Sequence, residues 1–184
     1  MVHEPVDSSQ PRSAVRPQPL LPFLPGDDRP LRLLTSACLV GTQCGWEGSH
    51  YAVALVQRIV ASDRVEAVHF CPEHASFGTP RAFSSIYGGD GMAVLDGRAR
   101  VRTFDGQDWT AGSLCGAQAM LELAQRSRVD VAIMMDISPS CGSHSIYLGD
   151  PQDKVYQRGF GVAAALLARH GVPIIAQRDT RTLE

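Results

Sequence analysis

The chain has almost no lysine: Lys154 stands alone, and the other sixteen basic residues are arginines, which permit planar recognition of anions. It also lacks a charge excess, because 17 Lys+Arg face 19 Asp+Glu for a formal charge of -2. No global field therefore draws it to nucleic acid or an anionic membrane. Long apolar runs are missing too. The longest early one, Leu20 to Leu24, is broken by Pro22 and is far too short for a signal-peptide core or a membrane span. Five cysteines in 184 residues are too sparse for a disulfide scaffold, their odd number leaves one unpaired, and no C-x-x-C pair exists. These absences predict a cytoplasmic protein whose cysteines serve thiol chemistry or metal binding. What remains, 44% hydrophobic and 20% charged residues, is the composition of an ordinary globular protein with one domain as the prior.

Residues 1–30 hold seven of the twelve prolines and show no periodicity, which predicts a flexible proline-rich arm. From Leu31 the pattern changes, and residues 31–184 are expected to form a single α/β domain. Leu31 to Val40 has the character of a buried strand running into a turn at Gly41. Tyr51 to Ala61 predicts a helix, and Val65 to Phe70 a strand ending at Cys71-Pro72. Turn dipeptides between Tyr87 and Thr110 predict an excursion with a small hairpin, with Val94, Leu95 and Val101 as strand residues. Ala111 to Arg126 is a second helix, Val129 to Met135 a strand, Gly161 to Arg169 a third helix and Val172 to Ala176 a last strand. This alternation predicts a Rossmann-like three-layer αβα domain with a mostly parallel sheet. Ligands of such sheets bind beyond the carboxyl ends of the strands. The loops carrying Cys38 and Cys44, Cys71, and Cys141 fall there, whereas Cys115 lies inside a helix.

A single cysteine is as often a small core hydrophobe as a ligand. Three successive strand exits bearing cysteines make a stronger signal. Zinc fits poorly, since five residues separate Cys38 from Cys44 and there is no second pair. Iron–sulfur clusters accept thiolates from scattered loops, and a cluster on three cysteines leaves one iron open as a Lewis acid. The six histidines show no metal spacing as a group, although His74 beside Glu73 is placed to assist proton transfer. Gly159-Phe-Gly161 before a helix fits either an anion site or close helix packing. Arg81 reaches a pocket or, by default, lies on the surface.

Four ordered motifs carry a resemblance: Ser36-Ala-Cys-Leu-Val-Gly with Cys44, Cys71-Pro-Glu with Gly78-Thr-Pro-Arg, Ser138-Pro-Ser-Cys-Gly with Ile146-Tyr, and Gly159-Phe-Gly-Val-Ala-Ala-Ala-Leu-Leu. Over about residues 32–178 the chain resembles the domain of unknown function 523 family, which includes thiouracil desulfidases. The resemblance implies a Rossmann-like domain and a [4Fe-4S] cluster on three cysteines, lost readily in air, whose free iron takes sulfur from a thiolated pyrimidine. It makes Cys38, Cys71 and Cys141 the expected ligands, with Cys44 as reserve ligand or pocket thiol. Glu73 and Ser138 match positions for proton transfer and substrate positioning; their bland readings are a solvated loop carboxylate and a helix N-cap. Asp136, at a strand end, is a second candidate acid or base. The chain departs from the common pattern at Gly45, where many members have arginine, and at Met135, where many have lysine. Trp46 offers a stacking face. The resulting expectation is an iron–sulfur desulfidase acting on a small thiolated nucleobase or related thiocarbonyl compound, with no nucleotide cofactor and no nucleic-acid or membrane partner. The alternative is a non-catalytic metal- or cluster-binding module for structure or redox sensing.

Overall fold

The computed structural model describes Pro25, residues 29–148 and residues 155–183. Most of the expected arm lies outside the described residues. Arg29, inside that segment by sequence, grips both carboxylate oxygens of Asp130 at 2.8 Å, and the Asp130 carboxylate also accepts the Arg32 N–H.

Four strands form a wholly parallel sheet: β1 (Leu31–Ser36), β2 (Val65–Phe70), β5 (Val131–Met134) and β8 (Ile174–Ala176), in the spatial order β2-β1-β5-β8. The alternation within β1 explains the layers. Leu31 and Leu33 pack with Val131, Ile133 and Val56 of α1 (Ala54–Val60) on one face, while Leu34 joins Ala132 and Met134 on the other. That second face is covered by α4 (Thr110–Arg126) and α5 (Val162–Arg169), through Ala117, Met120, Leu121, Ala163, Ala164 and Leu167. Strand order reverses between β1 and β5, so the crevice for a ligand opens beyond the carboxyl ends of those two strands.

Several elements differ from the sequence expectation for identifiable reasons. α1 starts at Ala54 rather than Tyr51 because the Tyr51 and Val53 N–H groups donate to the Cys38 and Leu39 carbonyls, holding that segment extended against a 3-10 turn at Ala37–Val40. Pro72 does more than end β2: it opens α2 (Pro72–Phe77), the position where its missing N–H costs nothing. The hairpin of β3 (Ser84–Tyr87) and β4 (Arg100–Thr103) exists, but Val94 and Leu95 belong to α3 (Gly91–Leu95), whose start is capped by the Asp90 carboxylate accepting the Ala93 N–H. A second hairpin, β6 (Ser145–Tyr147) with β7 (Tyr156–Arg158), went unread in the sequence.

The glycines before α5 serve packing rather than anion binding. A Cβ on Gly161 would lie 2.4 Å from the Ser140 carbonyl oxygen, and the N–H groups of Gly161, Val162 and Ala163 already donate to Gly142, Pro139 and Ser140. The start of α5 is thus spent on fixing the loop that carries Cys141. Similarly, Gly116 lets α2 approach the backbone of α4, since a Cβ there would sit 2.3 Å from the Pro72 carbonyl oxygen. Among the described residues no helix is long and apolar enough to cross a membrane.

Candidate functional site

All four loop cysteines face one cavity of about 140 Å³ at the carboxyl ends of β1, β2 and β5. Cys38 sits in the 3-10 turn after β1, and Cys44 follows in the next loop, almost fully buried. Cys71 occupies the N-cap of α2, where its sulfur accepts the His74 N–H at 3.4 Å. Cys141 is buried in the loop pinned by α5. Ser36 ties the two central exits together, because its hydroxyl accepts the Met135 N–H at 3.1 Å across the switch point. Cys115 is exposed on α4 and lies outside this cavity.

The thiols sense one another. The neighbouring Cys38 side chain is the main reason the Cys44 thiol is pushed up to about 11, with Cys71 opposing the shift and burial adding to it. The Cys71 thiol, which donates to the Cys44 carbonyl at 3.7 Å, is raised chiefly by the neighbouring Cys44 side chain and then by burial. Cys141 is raised by burial first and by the nearby Cys71 second. Crowded thiols in a dry pocket hold their protons because neighbouring thiolates would repel, and metal binding must displace those protons.

Glu73, Arg81 and Ser138 line the same cavity and form one network. Arg81 donates from Nε at 3.1 Å and Nη2 at 2.6 Å to Glu73 Oε2. Ser138 Oγ donates to Glu73 Oε1 at 3.3 Å while accepting the N–H groups of Ser140 at 3.0 Å and Cys141 at 3.1 Å. No helix follows Ser138: its hydroxyl instead holds the turn of residues 139–141 while touching the carboxylate. Arg81 is no surface residue: its side chain is only 4% exposed. Its place after Gly78-Thr-Pro was visible in sequence, but its burial was not. The aromatic wall of the cavity was also missed, apart from Trp46. Trp46 and Tyr147 meet Phe83 edge-on at 5.8 and 5.1 Å. Burial raises the phenols of Tyr51 and Tyr147; both side chains line the cavity, and the Tyr51 O–H donates to Glu47 Oε1 at 3.4 Å.

Two sequence candidates are not brought here. Asp136 turns away, with its two oxygens taken by the Arg178 backbone N–H at 2.9 Å and Nε at 2.6 Å, and it lines a separate cavity with Gln177 and Thr180. His74 is exposed, with Nδ1 paired to Thr79 Oγ1 at 2.8 Å. Met135 lines the cavity without charge, and Gly45 is locked by its N–H on the Ser49 carbonyl, where a Cβ would come within 2.8 Å.

Among the described residues no group of three or more His, Cys, Asp and Glu side chains is arranged to hold a metal ion. The sulfurs ring a cavity instead, and that soft donor set, drawn from three distant loops, suits a multi-iron cluster in which each thiolate takes its own iron.

The sequence model of the 2-thiouracil desulfurase family matches residues 33–179. An uncharacterised Bacillus subtilis (strain 168) protein, YbbK, is 38% identical over 148 residues, 80% of this chain and 96% of its own length. A solved structure, described as the [4Fe-4S]-dependent thiouracil desulfidase TudS, is 31% identical. It aligns with TM-score 0.69 over 83% of this chain and 95% of its own.

Proposed function

The chain belongs to the 2-thiouracil desulfurase family, and from that premise we propose that it is a [4Fe-4S]-dependent desulfidase converting the thiocarbonyl of a thiolated pyrimidine to a carbonyl. One observation carries this reading: four cysteines from three exits of a parallel sheet face a single cavity beside a held carboxylate. Cys38, Cys71 and Cys141 would hold the cluster, with Cys44 between two of them as reserve. Such a cluster, when bound, supplies an open, thiophilic Lewis-acidic iron.

The remaining chemistry belongs to the chain's own side chains. Trp46, Phe83 and Tyr147 orient the planar ring and keep bulk water out. Arg81 fixes Glu73 Oε2, which leaves Oε1 to take the proton of a water attacking the thiocarbonyl carbon. The Ser138 hydroxyl, now resting on Oε1, swings to the incoming group. Water replaces sulfur and sulfide leaves, so the exchange is hydrolytic and needs neither oxidant nor reductant. Five free thiols agree with a reducing cytoplasmic setting.

Anaerobic purification followed by iron, sulfide and turnover assays tests the reading. Near-stoichiometric cluster with release of uracil and sulfide from 2-thiouracil is expected; a loaded cluster without turnover would favour the sensing module instead.

A further inference from the structure

A cavity of about 660 Å³, a volume usual for small-molecule sites, lies apart from the cysteines and shares no lining residue with their cavity. Its walls include Val53, Leu55 and Arg58 from the start and body of α1, Asp136 just after β5, and Gln177 and Arg178 in the turn that follows β8. The desulfuration chemistry uses none of these side chains.

Arg178 is anchored in a way that leaves its binding edge available. Its backbone N–H and Nε both donate to the Asp136 carboxylate, at 2.9 and 2.6 Å, and the Asp136 side chain is only 12% exposed. Two anchors on one carboxylate fix the direction of the guanidinium. Its two Nη groups make no hydrogen bond with any described residue. Their N–H donors form the fork that pairs with a carboxylate or a phosphate. Arg58 brings a second cation to the α1 wall, so the lining sets two arginines against Asp136. The field nearby is positive as well. His144 is pushed down by burial first and then by Arg178 and Arg158, which outweigh Asp136 and Asp179.

Gln177 adds a polar group that the fold itself leaves unsatisfied. Its side chain lines the cavity, yet Oε1 is buried with no hydrogen-bond partner. The fully buried Thr180 donates its hydroxyl to the Gln177 carbonyl and so fixes the turn that carries this side chain. An orphaned acceptor destabilises the protein until a donor reaches it. The terminal amide torsion of glutamine is broad, and rotation about it presents Oε1 to a donor in the cavity.

We propose that this cavity is a second ligand site, for a small hydroxylated organic anion. Its phosphate or carboxylate sits on Arg178 and Arg58, its hydroxyl donates to Gln177 Oε1, and its carbon skeleton lies against Val53 and Leu55. The site is independent of the desulfidase reading, because every residue it uses lies outside the cysteine cavity.

Calorimetric titration of the full-length protein with glycerol 3-phosphate, glycerate, inorganic phosphate and glycerol tests it. At least one of the two organic anions should bind, and more tightly than inorganic phosphate; glycerol, which lacks the charge, should not bind. Preference for glycerol 3-phosphate assigns the site to phosphate esters, and preference for glycerate assigns it to carboxylates. Arg178→Gln should weaken the better probe at least about tenfold, since hydrogen bonds to a charged group are the strong ones. Arg58→Gln, on the exposed side of α1, should weaken it in the same direction without disturbing the Asp136 pair. Gln177→Met should weaken binding about two- to tenfold yet leave Tm unchanged or higher, because it removes an unsatisfied acceptor from the free protein. Arg158→Gln, outside the lining, should leave binding within about twofold. Binding of neither organic anion, inorganic phosphate or glycerol binding as tightly as they do, or affinity unchanged in both arginine variants would overturn the proposal. So would a Gln177→Met protein with lower Tm and full affinity, which would make the glutamine structural. Displacement of the bound probe by uracil in cluster-loaded protein would also overturn it, by placing the anion in the cysteine cavity.

Discussion

Replacing Glu73 by glutamine keeps the shape and tests the network twice, once as stability and once as rate. The amide oxygen must face Arg81, which offers only donors, so the amide nitrogen faces Ser138 Oγ. That oxygen already accepts two backbone N–H groups, from Ser140 and Cys141, and its own proton rested on Glu73 Oε1. A hydroxyl has two acceptor sites, so the variant sets donor against donor. An unsatisfied buried donor costs about 1–3 kcal/mol, and the Arg81 contact loses its charge-assisted part, about 1 kcal/mol more. Glu73 is 18% exposed, so water relieves some of this. The expected loss is therefore roughly 2 kcal/mol, a fall in Tm of about 4–8 °C for a chain of this size. Turnover of loaded protein should drop roughly 10²–10⁴-fold, the usual worth of a positioned acid or base. Calorimetry and a stopped assay on 2-thiouracil read the two effects separately. Unaltered stability would refute the hydrogen-bond accounting at Ser138, and unaltered turnover at full cluster loading would take Glu73 out of the proton path.

Serine at Cys38, Cys71 or Cys141 should abolish the visible absorbance of the cluster, while Cys115→Ser, on the exposed face of α4, keeps it; full loading of Cys71→Ser would move that ligand role to Cys44. Gly161→Ala should destabilise by at least about 1–3 kcal/mol and lower cluster content, because the new Cβ meets the Ser140 carbonyl oxygen at 2.4 Å and the Cys141 loop must shift; an unchanged Tm would contradict the packing argument. A chain starting at Asp28 should match the full-length protein in Tm and cluster content, whereas one starting at Leu31 should be weaker by about 0.5–1 kcal/mol through loss of the Arg29–Asp130 pair. The Asp130 carboxyl is held below its ordinary 3.8 by the Arg29 hydrogen bonds first and the Arg32 N–H after burial is counted against it. A depressed carboxyl stabilises the fold above its unfolded value and loses that contribution as pH falls through the folded one, so the two chains should converge in stability below about pH 4; a gap persisting at pH 2 would assign the difference to something other than this pair.

The sheet was legible because its strands are short apolar runs whose ends carry proline, glycine or aspartate, and Val65–Phe70 fell on its expected bounds. Convergence of the cysteine loops followed from topology alone, since strand exits of a parallel sheet share one edge. Other features depended on tertiary contacts that no local pattern records. Asp90-Gly91 signals a turn and a helix N-cap equally well, and only the packing of Val94 into the core decides for the helix. Arg81 resembles any surface arginine until its five partners are assembled around it. Asp136 stands at a strand end like the cysteines do, yet the chain after β8 brings Arg178 to it and turns it out of the cavity. The aromatic wall was hidden because Phe83, Tyr147 and Trp46 come from three separate loops or hairpins and have no shared spacing.

The central claim is that these thiols would hold a cluster beside Glu73 and that the loaded protein desulfurates a thiocarbonyl. It is tested most directly by anaerobic incubation of reconstituted protein with 2-thiouracil, counting uracil and sulfide against iron. The account predicts near-stoichiometric four-iron loading and equimolar uracil and sulfide formed over many turnovers, both lost in Cys71→Ser together with the cluster. Protein with a full cluster that leaves 2-thiouracil intact would contradict it, as would desulfuration that continues after the iron has been removed.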